Sequence, residues 1–194
     1  MPGFVNAHTH SGMTFLRSMA DDLPLHEWLN EKVFPIEEKL TQEDIYVFCK
    51  LAIMEYVTSG ITSNFDMYIN PYGIIQASLE TEFRTTLCGA INDFTLSVKN
   101  LEDCFKTYNE KDSLISFKLG FSHEYTTSKD KIVEIAKLSH KYKVPVYTHL
   151  QETEQEVESC IQRTGKTPTE YLCDLGVFDY GGEAFHMVHA IVMI

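Results

Sequence analysis

Four histidines and one glutamate could do chemistry in this sequence. His8 and His10 bracket Thr9; His149 stands much later, with Glu152 three residues on, and His186 lies near the end. Imidazole nitrogen is a good ligand for zinc and also suits iron. A catalytic metal site needs about three protein ligands and an open position for water, and His8, His10 and His149 supply three. Water held there would ionise near neutral pH and become a nucleophile. An H-x-H pair alone is a weak signal, which two surface or strand-end histidines in a polar loop explain better. The further strand-end histidine, followed by Glu152, lifts the metal reading above that one.

Such residues need elements that bring them to one place. Phe4 to Ala7 is a short apolar run that leads into His8, and residues two apart on a strand share a side, so His8 and His10 face together with Thr9 turned away. Thr41 to Ser59 has helical period, with Ile45, Phe48, Cys49, Ala52, Ile53 and Tyr56 on one face, a Thr41–Asp44 pair that resembles a capping box, and Gly60 just past its end. Strands are expected at Ile61 to Met67, Arg84 to Ile91, Leu114 to Phe121 and Val144 to His149, with a last apolar run from Phe185 to Val192. Helices are expected from Pro71 to Leu79, from Ser128 as cap to about Tyr142 with Ile132, Ile135, Ala136 and Leu138 inward, and from Thr167 to Leu175.

This βα alternation repeats about six times, which implies a parallel sheet with helices packed outside it. No G-x-G-x-x-G or G-x-x-x-x-G-K-[ST] loop occurs, which weakens a nucleotide-binding open sheet and favours an α/β fold of the (β/α) TIM-type barrel. In such barrels the active site lies at the C-terminal ends of the strands, where His8, His10 and His149 fall.

Composition narrows the partners. The 194 residues suggest one domain, spanning 1–194. A net charge of -12 argues against nucleic acid or an anionic membrane as partner, since both need basic surface, and favours a neutral or cationic small molecule. No apolar run is long enough for a membrane span. The N-terminus lacks the basic flank and apolar stretch of a signal peptide. Cys49, Cys88, Cys104, Cys160 and Cys173 are scattered without C-x-x-C spacing, which reads as reduced thiols in a cytoplasmic protein.

The segment from Pro2 to Met13, PGFVNAHTHSGM, resembles the first-strand signature of the amidohydrolase superfamily, closest to the branch of the 5-methylthioadenosine/S-adenosylhomocysteine deaminases and chlorohydrolases. Trp28-Leu29 with Pro35-Ile36-Glu37, Ser59 to Thr62 with Asp66-Met67-Tyr68, His149 to Thr153, and Gly165 to Pro168 with Tyr171-Leu172 resemble further motifs of that branch. The resemblance spans nearly the whole chain. It implies metal ligation by His8, His10 and His149, and proton transfer between water and the substrate ring by Glu152, which would also touch substrate. It implies that His186 steadies the attacking oxygen and that Glu37 binds ribose hydroxyls. It implies deamination of an adenine-type nucleoside, with guanine or triazine-type substrates, or a non-catalytic barrel fragment, as the alternatives. Without the resemblance, Glu37 beside Glu38 reads as a solvated helix face, Asp66 as structural, Trp28 as a packing anchor, and His26 and His140 as surface residues. The acidic run Glu152 to Glu158 reads as mostly a solvated face at a helix start.

Three departures from the family pattern stand out. The family has a histidine three positions before its Tyr-Thr pair, where it touches substrate. Here Ser122 holds that position before Tyr125-Thr126 and His123 comes one later. A one-residue shift on a strand turns a side chain to the other face unless a bulge re-aims it. No residue here is assigned to the family's strand-eight aspartate, and the expectation is a barrel without the family's flanking β-domain. A full barrel needs about 250 residues, so the expectation is an incomplete barrel of about six of the eight βα units. Open strand edges then predict self-association.

Overall fold

The computed structural model describes residues 1–19, 22–109 and 114–190. The chain forms two compact units, Met1–Thr85 and Thr86–Ile194. All the strand ladders described below are parallel, and strand order follows chain order, the arrangement that successive βα units produce.

The first unit opens with β1 (Phe4–Thr9) and a 3-10 turn at Ser11–Leu16. Two short helices, α1 (Leu25–Trp28) and α2 (Phe34–Glu37), are joined by a π-helical turn at Leu29–Val33. α3 (Gln42–Thr58) starts at Thr41, whose hydroxyl accepts from Asp44 N while Asp44 returns to the Thr41 amide, so the capping box anticipated from sequence is formed. Ile45, Cys49, Ala52 and Ile53 are its buried face. Gly60 follows at φ +78°, a left-handed turn that lets the chain enter β2 (Ile61–Tyr68) at once. β2 pairs with β1 through Phe4↔Ile61, Val5↔Ser63, Asn6↔Asn64 and Thr9↔Asp66. α4 (Pro71–Glu80) has Pro71 in its first turn and Asn70 as cap. It lies close against α3: a Cβ on Gly73 would stand 2.7 Å from Gln42 O.

β3 (Arg84–Gly89) leads into the second unit, followed by α5 (Val98–Tyr108), a helix the sequence reading did not anticipate. Its signal is a Ser97–Asn100 capping box followed by the buried triad Leu101, Cys104 and Phe105. β4 (Ile115–Gly120) alternates buried Ile115, Phe117 and Leu119 with half-buried Ser116 and Lys118. α6 (Lys129–Tyr142) buries Ile132, Ile135, Ala136 and Ser139. Ser139, rather than the anticipated Leu138, completes the i, i+3, i+4, i+7 stripe, and its hydroxyl donates to Val144 O. Ser128 occupies the cap position but makes no side-chain capping bond; its amide donates to Asp93 Oδ1 instead. β5 (Val146–Leu150) pairs with β4 through Leu119↔Val146 and with β6 (Gly182–His186) from Val146↔Gly182 to Leu150↔His186. α7 (Glu154–Thr164) and α8 (Pro168–Asp174) lie between β5 and β6. The final strand starts before the anticipated Phe185 and ends at His186; residues 191–194 lie outside the described ones.

Candidate active site

In the first unit His8 and His10 stand together at the end of β1, their rings edge to face with centroids 4.9 Å apart. Thr9 turns away, its hydroxyl 2.8 Å from the Tyr56 hydroxyl on α3, so the period-two reading of this segment holds. His10 Nδ1 lies 2.5 Å from Met67 O. A carbonyl can only accept, so Nδ1 carries the proton and Nε2 keeps its lone pair. Behind the pair, fully buried Asp66 accepts from Ser11 N through both oxygens, at 3.2 and 3.3 Å, and from Asn64 Nδ2 at 3.2 Å. Burial pushes its carboxyl up to about 7, against the pull of those bonds. Glu37 ends α2 half-buried, and burial raises its carboxyl above the ordinary range, partly offset by the Tyr68 hydroxyl. That is not the behaviour of a solvated helix face.

In the second unit His149 is the centre of a stack. His123 lies on one side with ring centroids 4.5 Å apart, and His186 at 5.4 Å with an interplanar angle of 8°. His149 Nδ1 is 2.9 Å from Ser122 O, which fixes the same tautomer as at His10 and leaves Nε2 as the ligand atom. The Glu152 carboxylate spans the neighbours: Oε2 is 3.6 Å from His123 Nε2 and Oε1 is 3.5 Å from His186 Nε2. In each unit, taken by itself, a backbone carbonyl sets the imidazole lone pair, at His10 and at His149, and such a nitrogen is a donor that zinc takes.

The Ser122 departure does not turn the His123 ring away from His149. Past β4, pairing continues through the Ile91–Phe121 bridge to Ser122, whose amide donates to Ile91 O and whose carbonyl accepts from His149 N, and residue 123 lies beyond it, outside strand alternation. His123 joins the stack, its Nδ1 2.9 Å from Ser122 Oγ. His186 sits in a left-handed conformation at φ +75°, and Met187 follows at +52°, the kind of backbone strain that collects at functional sites. His26 and His140 are exposed, as the sequence suggested. The Trp28 indole donates to Met19 O at 3.1 Å.

The reading of the acidic run as a solvated face fails at Glu156. That residue is 4% exposed, and its two oxygens accept from Gln151 N and Glu152 N. Both amides lie before Thr153, the cap of α7, so the carboxylate is held by the turn that precedes the helix. A second buried carboxylate, Glu124, was not singled out from sequence. Arg163 Nη2 meets both its oxygens at 2.7 and 2.8 Å, while burial still pushes its carboxyl up.

Comparison with known proteins places this geometry. The amidohydrolase family model matches residues 1–191. The 5-methylthioadenosine/S-adenosylhomocysteine deaminase of Thermoanaerobacter pseudethanolicus (strain ATCC 33223 / 39E) is 37% identical over 195 residues, 97% of this chain and 45% of that protein. The 5'-deoxyadenosine deaminase of Methanocaldococcus jannaschii is 39% identical, over 97% of this chain and 47% of that protein. The chain therefore spans less than half the length of these relatives. A crystal structure of an adenosine deaminase from Xanthomonas campestris with bound zinc superposes with a TM-score of 0.89 and 31% identity, covering 96% of this chain and 44% of that one. Guanine deaminase from C. acetobutylicum gives 0.88 at 18% identity, over 98% of this chain and 50% of that one, a likeness of fold. The fold class is accordingly that of the amidohydrolase (β/α) barrels, of which the chain covers part. Motif, strand-end histidines and these matches agree: the chain belongs to the amidohydrolase family.

Proposed function

We propose that this chain carries the metal-binding strands of a zinc-dependent aminohydrolase that removes the amino group of an adenine-type nucleoside such as methylthioadenosine or S-adenosylhomocysteine. The observation that carries the reading is Glu152, held against both His123 and His186 beside a histidine whose tautomer suits a metal. His8, His10 and His149 are the proposed ligands. A bound zinc would supply a nucleophile near neutral pH by lowering the pKa of water.

The remaining chemistry falls to the side chains. Glu152 takes a proton from the attacking water and delivers it to the ring nitrogen as the oxygen adds at the amino-bearing carbon; it then carries the remaining hydroxyl proton to the amino nitrogen, the carbonyl forms, the C–N bond breaks and ammonia leaves. His186 steadies the attacking oxygen. His123 reaches the substrate from the other side of the stack, and Glu37 accepts hydrogen bonds from the ribose hydroxyls. The names of the curated relatives support an adenine-type substrate over guanine or a triazine.

Metal analysis of the purified chain should find close to one zinc per chain, lost in a His8→Ala/His10→Ala double substitution. Ammonia release from methylthioadenosine, S-adenosylhomocysteine and adenosine should be measurable and fall at least ~100-fold in Glu152→Gln with zinc retained. A chain that takes up no zinc, or zinc-loaded chain inert toward all three, would sink the reading.

A further inference from the structure

Glu156 stands where a helix-capping residue belongs and does something else. Thr153 caps α7, its hydroxyl accepting from Glu156 N at 3.2 Å. A Glu three residues past a cap ordinarily returns its carboxylate to the cap's own amide. Glu156 reaches further back: Oε1 accepts from Gln151 N at 2.7 Å and Oε2 from Glu152 N at 3.0 Å. Capping alone does not need a buried charge, since Asp44 and Glu170 close their boxes at the surface. Burying a carboxylate is costly, and here two amides compensate it.

Those amides belong to a strained turn. Gln151 has φ +52°, a left-handed conformation that a residue with a Cβ adopts only when held there. On an extended strand His149 and Gln151 would share one face and Glu152 would take the other. The turn at Gln151 breaks that alternation, and Glu152 comes back to the rings on either side of His149. Gln151 also grips the segment after β6: its Nε2 donates to His189 O at 2.9 Å, and its carbonyl accepts from His189 N at 2.9 Å. His186 lies three residues before that grip.

We infer that Glu156 is a positioning residue for Glu152. It holds the 151–152 turn through the backbone and so keeps the Glu152 carboxylate against both His123 and His186. The chemical use of that placement rests on the proposed function; the placement does not.

The test compares the chain with Glu156→Gln, Glu156→Asp, Glu152→Gln and the Glu152→Gln/Glu156→Gln double variant. A glutamine amide can accept from one backbone N–H but turns its NH2 toward the other; aspartate keeps the charge but falls short. In Glu156→Gln the amides of Gln151 and Glu152 should exchange hydrogen about tenfold faster or more. The imidazole 15N shifts of His123 and His186 should move as they do in Glu152→Gln, while the His149 ring, held by Ser122 O, keeps its own. Glu156→Asp should show the same changes in smaller measure, and keeps the test open if the glutamine variant fails to fold. kcat for ammonia release should fall about tenfold with KM nearly unchanged, and the double variant should be no slower than Glu152→Gln. A folded Glu156 variant with unmoved His123 and His186 shifts, or a loss additive with that of Glu152→Gln, overturns the inference. A wild-type chain that releases no ammonia overturns the proposed function instead, and leaves exchange and ring shifts to decide this one.

Discussion

At His149 a backbone carbonyl decides which ring nitrogen is available, and at Ser122 the same residue plays two parts. Its carbonyl fixes His149 Nδ1, whereas its hydroxyl meets His123 Nδ1. Replacing only the side chain separates the two. Ser122→Ala should leave zinc affinity unchanged within about twofold, because the carbonyl stays, and should raise KM about fivefold, the worth of roughly one hydrogen bond that orients His123. Zinc competition titration and nucleoside kinetics read the two effects, and a loss of zinc affinity without a KM change would reverse the assignment. Asp66 makes a pH prediction. Its folded carboxyl titrates at about 7 against an ordinary 3.8, because it is fully buried. A raised carboxyl means the folded state holds the proton more tightly than the unfolded state, so stability falls as pH rises from about 4 to 7, at up to ~1.4 kcal/mol per pH unit. In Asp66→Asn that decline should largely vanish. Urea unfolding at pH 5 and pH 7 should then show wild type losing about 2 kcal/mol relative to the variant; parallel profiles would show that the carboxyl is not raised.

The elements show which parts of this fold are legible and which are not. Helix α3 declares itself because its cap, apolar stripe and terminal glycine all act within a few residues of one another. His8 and His10 are legible for the same reason, since period two on a strand is local. Helix α5 was missed although its cap and buried triad are equally local, because a short amphipathic helix with three core residues looks like loop when read by apolar runs. Glu156 was misread for a deeper reason: sequence shows a carboxylate in an acidic run, and only the course of the 151–152 turn shows two amides waiting for it. Placement of His123 likewise depends on strand pairing that runs past β4 only as far as Ser122, a boundary that residue pattern leaves open by a few positions. The α3–α4 contact carries a sharper expectation. A Cβ on Gly73 would stand 2.7 Å from Gln42 O and 2.8 Å from Tyr46 N, both backbone atoms that cannot swing aside. Gly73→Ala should therefore destabilise the chain by about 1–3 kcal/mol, despite alanine's better helix propensity. Thermal unfolding would detect it, and a stabilised variant would mean that the two helices can separate at no cost.

Scale changes what a metal can mean for this chain. Its 194 residues carry a net charge of -12 and match only about 45% of the length of a curated relative. Among the described residues no helix is long and apolar enough to cross a membrane. If His8, His10 and His149 ligate one ion, they join points more than a hundred positions apart in sequence, so binding is possible only in the folded chain. Zinc that binds the native state and not the unfolded one adds RT ln(1 + [Zn]/Kd), about 2.7 kcal/mol at a hundredfold excess over Kd. The melting temperature should accordingly rise with added zinc and fall back on chelation. The decisive comparison is among variants. His8→Ala/His10→Ala and His149→Ala should each remove nearly the whole zinc-dependent shift, because one ion cannot be held with a ligand group missing, while Glu152→Gln should keep it. Two half-sized shifts, one surviving in each variant, would mean separate weak sites at the two ends of the sequence, and the single-ion reading would be wrong.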